Sequence, residues 1–266
     1  MKEIVLEGKG LEIGYGQKTI VPNLDVCIEK GTITSLIGPN GCGKSTLLKA
    51  LARVIPLDRG EIELFGEDVF SYSSKAAAKK MALLPQAPEA PEGLSVEELV
   101  SYGRFPHKKG FGSLNAEDHA LVEKAMKDTG VWALRSRTLD SLSGGQRQRA
   151  WIAMALAQDT PLILLDEPTT YLDMAHQLEI LELLERLNEK EGKTIVLVIH
   201  DLNLAARFSD HMIAMKDGAI CYEGSAEQVM TRETMANVFS LDAYIVKDPW
   251  SNRPTMLSYR NLPDEV

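Results

Sequence analysis

Three stretches of this 266-residue chain hold residues whose types and spacing could do phosphate chemistry. The first is Gly38-Pro39-Asn40-Gly41-Cys42-Gly43-Lys44-Ser45, a G-x-x-x-x-G-K-S/T pattern between the apolar run Thr32 to Ile37 and a helix-like stretch from Lys44 to about Val54. Glycines let a backbone bend until successive N–H groups point at phosphate oxygens, and a helix starting at Lys44 adds the positive end of its dipole. Lys44 is expected to reach the β- and γ-phosphates of a nucleotide, Ser45 to ligate Mg²⁺, and Thr46 to reach a nearby phosphate. Cys42 is read as a small residue whose backbone amide matters more than its thiol.

The second stretch, Leu162-Ile163-Leu164-Leu165-Asp166-Glu167, reads as a buried strand ending in two carboxylates. Such strands deliver side chains rigidly to the edge where open parallel sheets bind ligands. Asp166 suits a Mg²⁺ sphere, and Glu167, expected on the opposite face of the strand, is a candidate general base for a water in line with the γ-phosphate. The third stretch is Leu142-Ser143-Gly144-Gly145-Gln146. Ser143 is a good N-cap for a helix over Gly145 to Ala157, and Gly144 and Gly145 keep its start open, which makes a second anion-binding helix end.

The elements that must hold these residues follow from apolar periodicity. Ile4 to Ile13 and Ile20 to Glu29 alternate apolar and polar residues, as an antiparallel hairpin or meander does. Thr32 to Ile37, Leu162 to Leu165 and Thr194 to Ile199 are continuously apolar, as buried strands of a mostly parallel sheet are, the last of them being read as the final core strand. Helix-spaced apolar residues mark Val96 to Tyr102, Ala116 to Asp128, Gly145 to Ala157 and Met174 to Lys190, with loops at 88–91 and 105–112. The pattern is α/β, with an antiparallel N-terminal β part and a helical lobe over about 87–159 inserted into a core of 1–86 and 160–240. Short strands and a small helix (Ser225 to Phe239) follow Gly218, and 241–266 forms an extension without a clear pattern after Pro249.

Composition narrows the function classes. Hydrophobic residues make up 44% and charged residues 25%, ordinary for a globular protein. The net charge of −9 argues against nucleic acid as a partner and against unaided adsorption to an anionic membrane. No signal segment and no span-length apolar run is visible, so work at a membrane requires another chain to hold this one there. Cys27, Cys42 and Cys221 suggest neither a disulfide framework nor a zinc site, which fits a reducing cytoplasm.

The ordered set of phosphate loop, Leu142-Ser143-Gly144-Gly145-Gln146, Leu165-Asp166-Glu167-Pro168 and His200 resembles the ATP-binding cassette ATPases over nearly the whole chain. The resemblance implies a P-loop ATPase fold, ATP and Mg²⁺, and further roles. It makes Tyr15 an adenine-stacking aromatic, Gln86 the glutamine that joins the metal and senses the γ-phosphate, and His200 the switch histidine. Asp173, after Leu172, becomes part of a loop crossing to a partner subunit. It also implies a head-to-tail homodimer, in which the phosphate loop of one copy and Ser143 to Gln146 of the other sandwich one nucleotide.

A long coiled coil, a second cassette and fused membrane helices are all missing from the sequence, which favours an importer ATPase with separate permease chains. The phosphate loop with Thr46-Leu47-Leu48, the segment Val100 to His107, and Asp166 to Asp173 are most similar in wording to ATPases of siderophore, ferric citrate and haem importers. Importers of vitamin B12 or another cargo and separate-subunit exporters remain as alternatives. The resemblance places the chain at the cytoplasmic face of the membrane, bound to integral permease subunits that meet an extracytoplasmic substrate-binding protein. Gln86 to His107, with Glu89, Glu92, Glu97 and Glu98, is the expected permease-facing segment. A P-loop kinase is disfavoured by Ser143 to Gln146, and a GTPase by the lack of an Asn-Lys-x-Asp or Thr-Lys-x-Asp segment.

Overall fold

The computed structural model describes residues 3–108 and 113–262. Met1 and Lys2, the end of the expected 105–112 loop and the last four residues of the extension lie outside the described residues. The chain forms two compact units, one of residues 1–69 and 196–266, the other of residues 70–195.

The first unit opens with β1 (Ile4–Tyr15), β2 (Lys18–Val21), β3 (Val26–Glu29), β4 (Ile33–Ile37), α1 (Lys44–Leu51), β5 (Arg59–Leu64) and β6 (Glu67–Asp68). β1 pairs antiparallel with β2, β3 and β5, so the expected N-terminal hairpin is present and widened into a sheet. β1 buries Leu6, Leu11 and Ile13, its alternation changing phase at the irregularity between Lys9 and Glu12, while α1 buries Leu47, Leu48 and Leu51. The helix expected to reach Val54 stops at Leu51, because Arg53 takes a left-handed φ of 62° that an α-helix cannot continue.

The second unit holds α2 (Ser74–Ala77), β7 (Met81–Leu84), α3 (Val96–Tyr102), α4 (Ala116–Asp128), α5 (Gly144–Ala157), β8 (Leu162–Asp166), α6 (Met174–Glu191) and the start of β9 (Thr194–Val198). β7 and β8 run parallel, with Met81 opposite Leu162 and Leu84 opposite Leu165. The three helices between them pack on one another, and each begins with a reciprocal cap: Ser95 with Glu98, Asn115 with Asp118, Ser143 with Gln146.

β9 ends in the first unit, which closes with α7 (Leu202–Phe208), β10 (His211–Lys216), β11 (Ala219–Gly224), α8 (Ala226–Val229), α9 (Arg232–Phe239), β12 (Leu241–Lys247) and β13 (Pro254–Asn261). Within this unit the strand order β11-β10-β4-β9 makes a mixed sheet: β10 runs parallel to β4 and antiparallel to β11. β9 is therefore not the last core strand. His211 to Lys216 carries two methionines and an alanine, which favour helix, and pairing on both sides overrides that preference. The helix expected over 225–239 breaks after Val229, where Met230 has ψ 70° and Thr231 caps a new helix. The extension forms an antiparallel hairpin, β12 with β13. No helix among the described residues is long and apolar enough to cross a membrane.

Candidate nucleotide-binding site

In the first unit, β4 is buried at all five positions and hands the chain directly to the phosphate loop. Gly38, Gly41 and Gly43 take φ values of 147°, 79° and 106°, which side-chain-bearing residues rarely adopt. Gly38 also sits where a Cβ would lie 2.2 Å from the Met215 carbonyl oxygen and 2.8 Å from Cys42 Sγ. Lys44 is 5% exposed, and its Nζ donates to the carbonyls of Gly38 (2.7 Å) and Pro39 (2.9 Å). The ammonium is thus held across the mouth of its own loop. α1 starts at Gly43 without any side-chain cap, in contrast to the boxed helices of the second unit. An uncapped helix start, a fixed cation and a loop of left-handed glycines fit a phosphate chain as the missing acceptor.

Two further residues gather around this loop. The Ile199 amide donates to the Leu36 carbonyl at 3.3 Å, which places exposed His200 beside the strand end that becomes Gly38. Tyr15, 50% exposed, ends β1 opposite Lys18. The β2 strand that Lys18 begins brings Ile20 and Val21 against Gly43, where an added Cβ would sit 3.5 and 3.3 Å from their side chains. Asn40 and Gly41 are exposed, Cys42 is buried, and Ser45 and Thr46 are half-buried at the start of α1.

In the second unit, β8 delivers Asp166, fully buried, and the chain then turns sharply at Glu167, which is 9% exposed with φ 54°. The expected strand alternation therefore stops at Asp166. Glu167 is aimed by a left-handed turn, a sparsely populated conformation for a residue with a Cβ. Thr170 donates to Glu167 twice, backbone amide to carbonyl at 3.2 Å and Oγ1 to Oε2 at 3.1 Å. Both carboxylates are buried, and Glu167 is held by Thr170.

The Ser143 side chain accepts from the Gln146 amide at 3.3 Å, and the Gln146 side chain accepts from the Ser143 amide at 3.2 Å. Ser143 and Gly144 are exposed; a Cβ added at Gly145 would lie 3.2 Å from the Leu172 side chain, and one at Gly144 3.7 Å from Tyr171 Cβ. An open cleft of about 420 Å³ is lined by Gln86, Leu142, Gly144, Gln148, Trp151 and Tyr171, so Gln86 and the capped helix start share one opening. Asp173 caps α6, and hydrogen bonds from the amide and ring of His176 hold its carboxyl below the usual carboxylate range.

Two residues here escaped the sequence reading. Gln148, buried on α5, donates to the Pro168 carbonyl at 3.2 Å and ties the helix of Ser143 to the turn after Glu167. A polar side chain on an otherwise buried helix face was its only signal. Tyr171 is 78% exposed with φ 69°, and nothing in its sequence context marks that backbone. The permease-facing expectation is also sharpened. Glu98 accepts from both the amide and hydroxyl of Ser95, bonds that hold its carboxyl below the ordinary range, so its charge serves the helix cap. Glu89, Glu92 and Glu97 are exposed.

The family model described as ABC transporter matches residues 21–170, which include the phosphate loop, Ser143 to Gln146 and Glu167. The iron(3+)-hydroxamate import ATP-binding protein of Bacillus subtilis (strain 168) is 56% identical, covering 98% of this chain and 97% of that protein. The ferric enterobactin transport ATP-binding protein of Escherichia coli (strain K12) is 45% identical over 95% and 93%. A dimeric bacterial ABC transporter cassette superposes with a TM-score of 0.76 at 30% identity, covering 83% of this chain and 98% of that one. The chain belongs to the ABC transporter family and is one of its ATP-binding, ATP-hydrolysing subunits.

Proposed function

We propose that this chain powers an importer of iron chelates (siderophore, ferric citrate or haem) through a separate membrane permease. One observation carries the cargo class: 56% identity, along almost the full length of both chains, with a protein named for iron(3+)-hydroxamate import. A second relative named for ferric enterobactin supports it.

In this reading Tyr15 stacks on adenine, the amides of Gly38 to Thr46 (Pro39 excepted) surround the phosphates, and Lys44 neutralises the β- and γ-oxygens. The Ser45 hydroxyl, the Gln86 carboxamide and the Asp166 carboxylate are an all-oxygen donor set, which fits Mg²⁺. A Mg²⁺ held by these oxygens would supply positive charge against the phosphates. Glu167 takes the proton of the attacking water as its oxygen bonds to the γ-phosphorus and the bond to the bridging oxygen breaks, leaving ADP and phosphate. His200 holds the γ-phosphate side. Ser143 to Gln146 and Asp173 face the nucleotide of a second copy in a two-fold, head-to-tail dimer, a reading supported by the dimeric relative.

ATP then closes the dimer by placing negative charge between two positive helix ends, and hydrolysis reopens it. Residues 87–159 act as the inserted lobe that reads this motion at the cytoplasmic face. Exposed Glu89, Glu92 and Glu97 there suit a basic loop of the permease, which passes cargo from an extracytoplasmic binding protein.

The test is growth of a strain lacking this chain but retaining the permease, with a hydroxamate iron chelate as sole iron source. The wild-type chain restores growth and Glu167→Gln does not. Restoration of cobalamin uptake without iron-chelate uptake would reassign the cargo.

A further inference from the structure

We infer that Thr170 is a positioning residue for Glu167, acting through its side-chain hydroxyl. The inference rests on the base role proposed for Glu167. Thr170 Oγ1 donates to Glu167 Oε2 at 3.1 Å. A carboxylate that is to take a proton can only accept hydrogen bonds, so the hydroxyl is the donor. Glu167 is 9% exposed and leaves the main chain at a left-handed φ of 54°. A carboxylate so enclosed needs polar partners, and each fixed donor narrows the range of its flexible side chain. Glu167 has a further interaction of its own, so Thr170 is one of its holders and not the sole one.

The hydroxyl is a fixed donor because the turn that presents it is held without it. The Thr170 amide donates to the Glu167 carbonyl at 3.2 Å, and the Leu172 amide to the Thr169 carbonyl at 3.3 Å. Buried Gln148 of α5 donates to the Pro168 carbonyl at 3.2 Å. Gln177 of α6 donates to the carbonyls of Thr169 (3.4 Å) and Leu172 (3.1 Å). Two helices thus clamp the main chain between Pro168 and Leu172. Thr170 itself is half-buried, and its β-branch restricts χ1, so its hydroxyl has few directions in which to point.

Holding Glu167 by Oε2 sets the direction in which its carboxylate faces, and general-base transfer is sensitive to that direction. Removing the hydroxyl alone leaves every main-chain bond of the turn in place, along with the further interaction of Glu167. The loss is therefore one of orientation, and hydrolysis slows without being abolished. Nucleotide binding in the proposed reading depends on the phosphate loop and α1, whose residues this change does not touch.

The experiment uses the full chain and steady-state ATP hydrolysis, with equilibrium ATP titration and thermal unfolding by circular dichroism as checks on binding and folding. Thr170→Val keeps the shape and the β-branch and removes the hydroxyl. It should lower kcat about fivefold, with KM and ATP affinity within about twofold, the scale of losing one hydrogen bond that orients a group. Thr170→Ser, which returns a hydroxyl without the methyl group, should recover most of that loss. In a Glu167→Ala background, Thr170→Val should leave the residual single-turnover rate unchanged. Wild-type kcat in Thr170→Val, a Thr170→Ser variant as slow as Thr170→Val, or an equal loss with Glu167 already removed would overturn the positioning role. So would a fall in ATP affinity large enough to account for the lower rate. If Glu167→Ala itself hydrolyses ATP at the wild-type rate, the base reading of Glu167 fails first.

Discussion

The amide of Ile199 donates to the carbonyl of Leu36, and this bond, next to the pairing of β4 with β9, sets His200 beside the strand end from which Gly38 departs. Two residues far apart in sequence become neighbours at one sheet edge, where parallel strands bind ligands. Since His200 follows the strand and is not itself part of the loop, its removal should spare binding. His200→Ala is expected to keep ATP affinity within about twofold while kcat falls on the order of a hundredfold, the scale of losing one positioned catalytic group. Equilibrium ATP titration beside steady-state hydrolysis checks this.

Gly38 and Gly41 both have positive φ but differ in surroundings. A Cβ at Gly38 would meet the Met215 carbonyl at 2.2 Å, whereas one at Gly41 meets nothing within 4 Å. Gly38→Ala should therefore abolish measurable ATP binding and lower the melting temperature. Gly41→Ala should cost only the backbone strain, about 1–3 kcal/mol. Nucleotide titrations of the two variants decide the order.

Ser143 is exposed and caps its helix start, its hydroxyl accepting from the Gln146 amide while the Gln146 side chain accepts from the Ser143 amide. Ser143→Arg loses the cap, worth about 1 kcal/mol, and places a bulky cation where a second copy's phosphate is proposed to sit. ATP should still bind the isolated chain with near-normal affinity, while the ATP-dependent shift from monomer to dimer in light scattering disappears.

The Arg104–Asp118 pair is nearly buried, with both side chains 6% exposed and Nε–Oδ1 at 2.9 Å. Burial opposes ionisation of Asp118, but the Arg104 guanidinium and the Asn115 amide outweigh it and hold the carboxyl below its ordinary value. A depressed carboxylate contributes stability that is present above the unfolded pKa, about 3.9, and lost as pH falls through the folded one. Asp118→Asn should destabilise the chain by about 3 kcal/mol at neutral pH. The gap to wild type should narrow below about pH 4 in denaturant titrations run across pH.

Much of the site was legible because its residues obey local rules. The glycines of 38–43 announce a bend that only glycine makes cheaply, and Ser143 before Gly144 and Gly145 announces an open helix start. Asp166 was legible as the end of an apolar run. What escaped depended on tertiary contacts. The left-handed turn at Glu167 is imposed by its surroundings and has no glycine to signal it. Gln148 matters because Pro168, 20 residues away, lies within reach of it. β10 was missed because methionine and alanine carry no strand preference until β4 and β11 flank them.

The central claim is that Glu167 is the base of an ATPase whose closed state is an ATP-bound dimer. Glu167→Gln keeps the size and a hydrogen-bonding oxygen but cannot take a proton. The direct measurement is single-turnover hydrolysis by this variant, with its oligomeric state followed at saturating ATP. The account predicts a stable dimer holding intact ATP and turnover lowered on the order of a thousandfold. Hydrolysis at the wild-type rate, or a variant that binds ATP and stays monomeric, would contradict it.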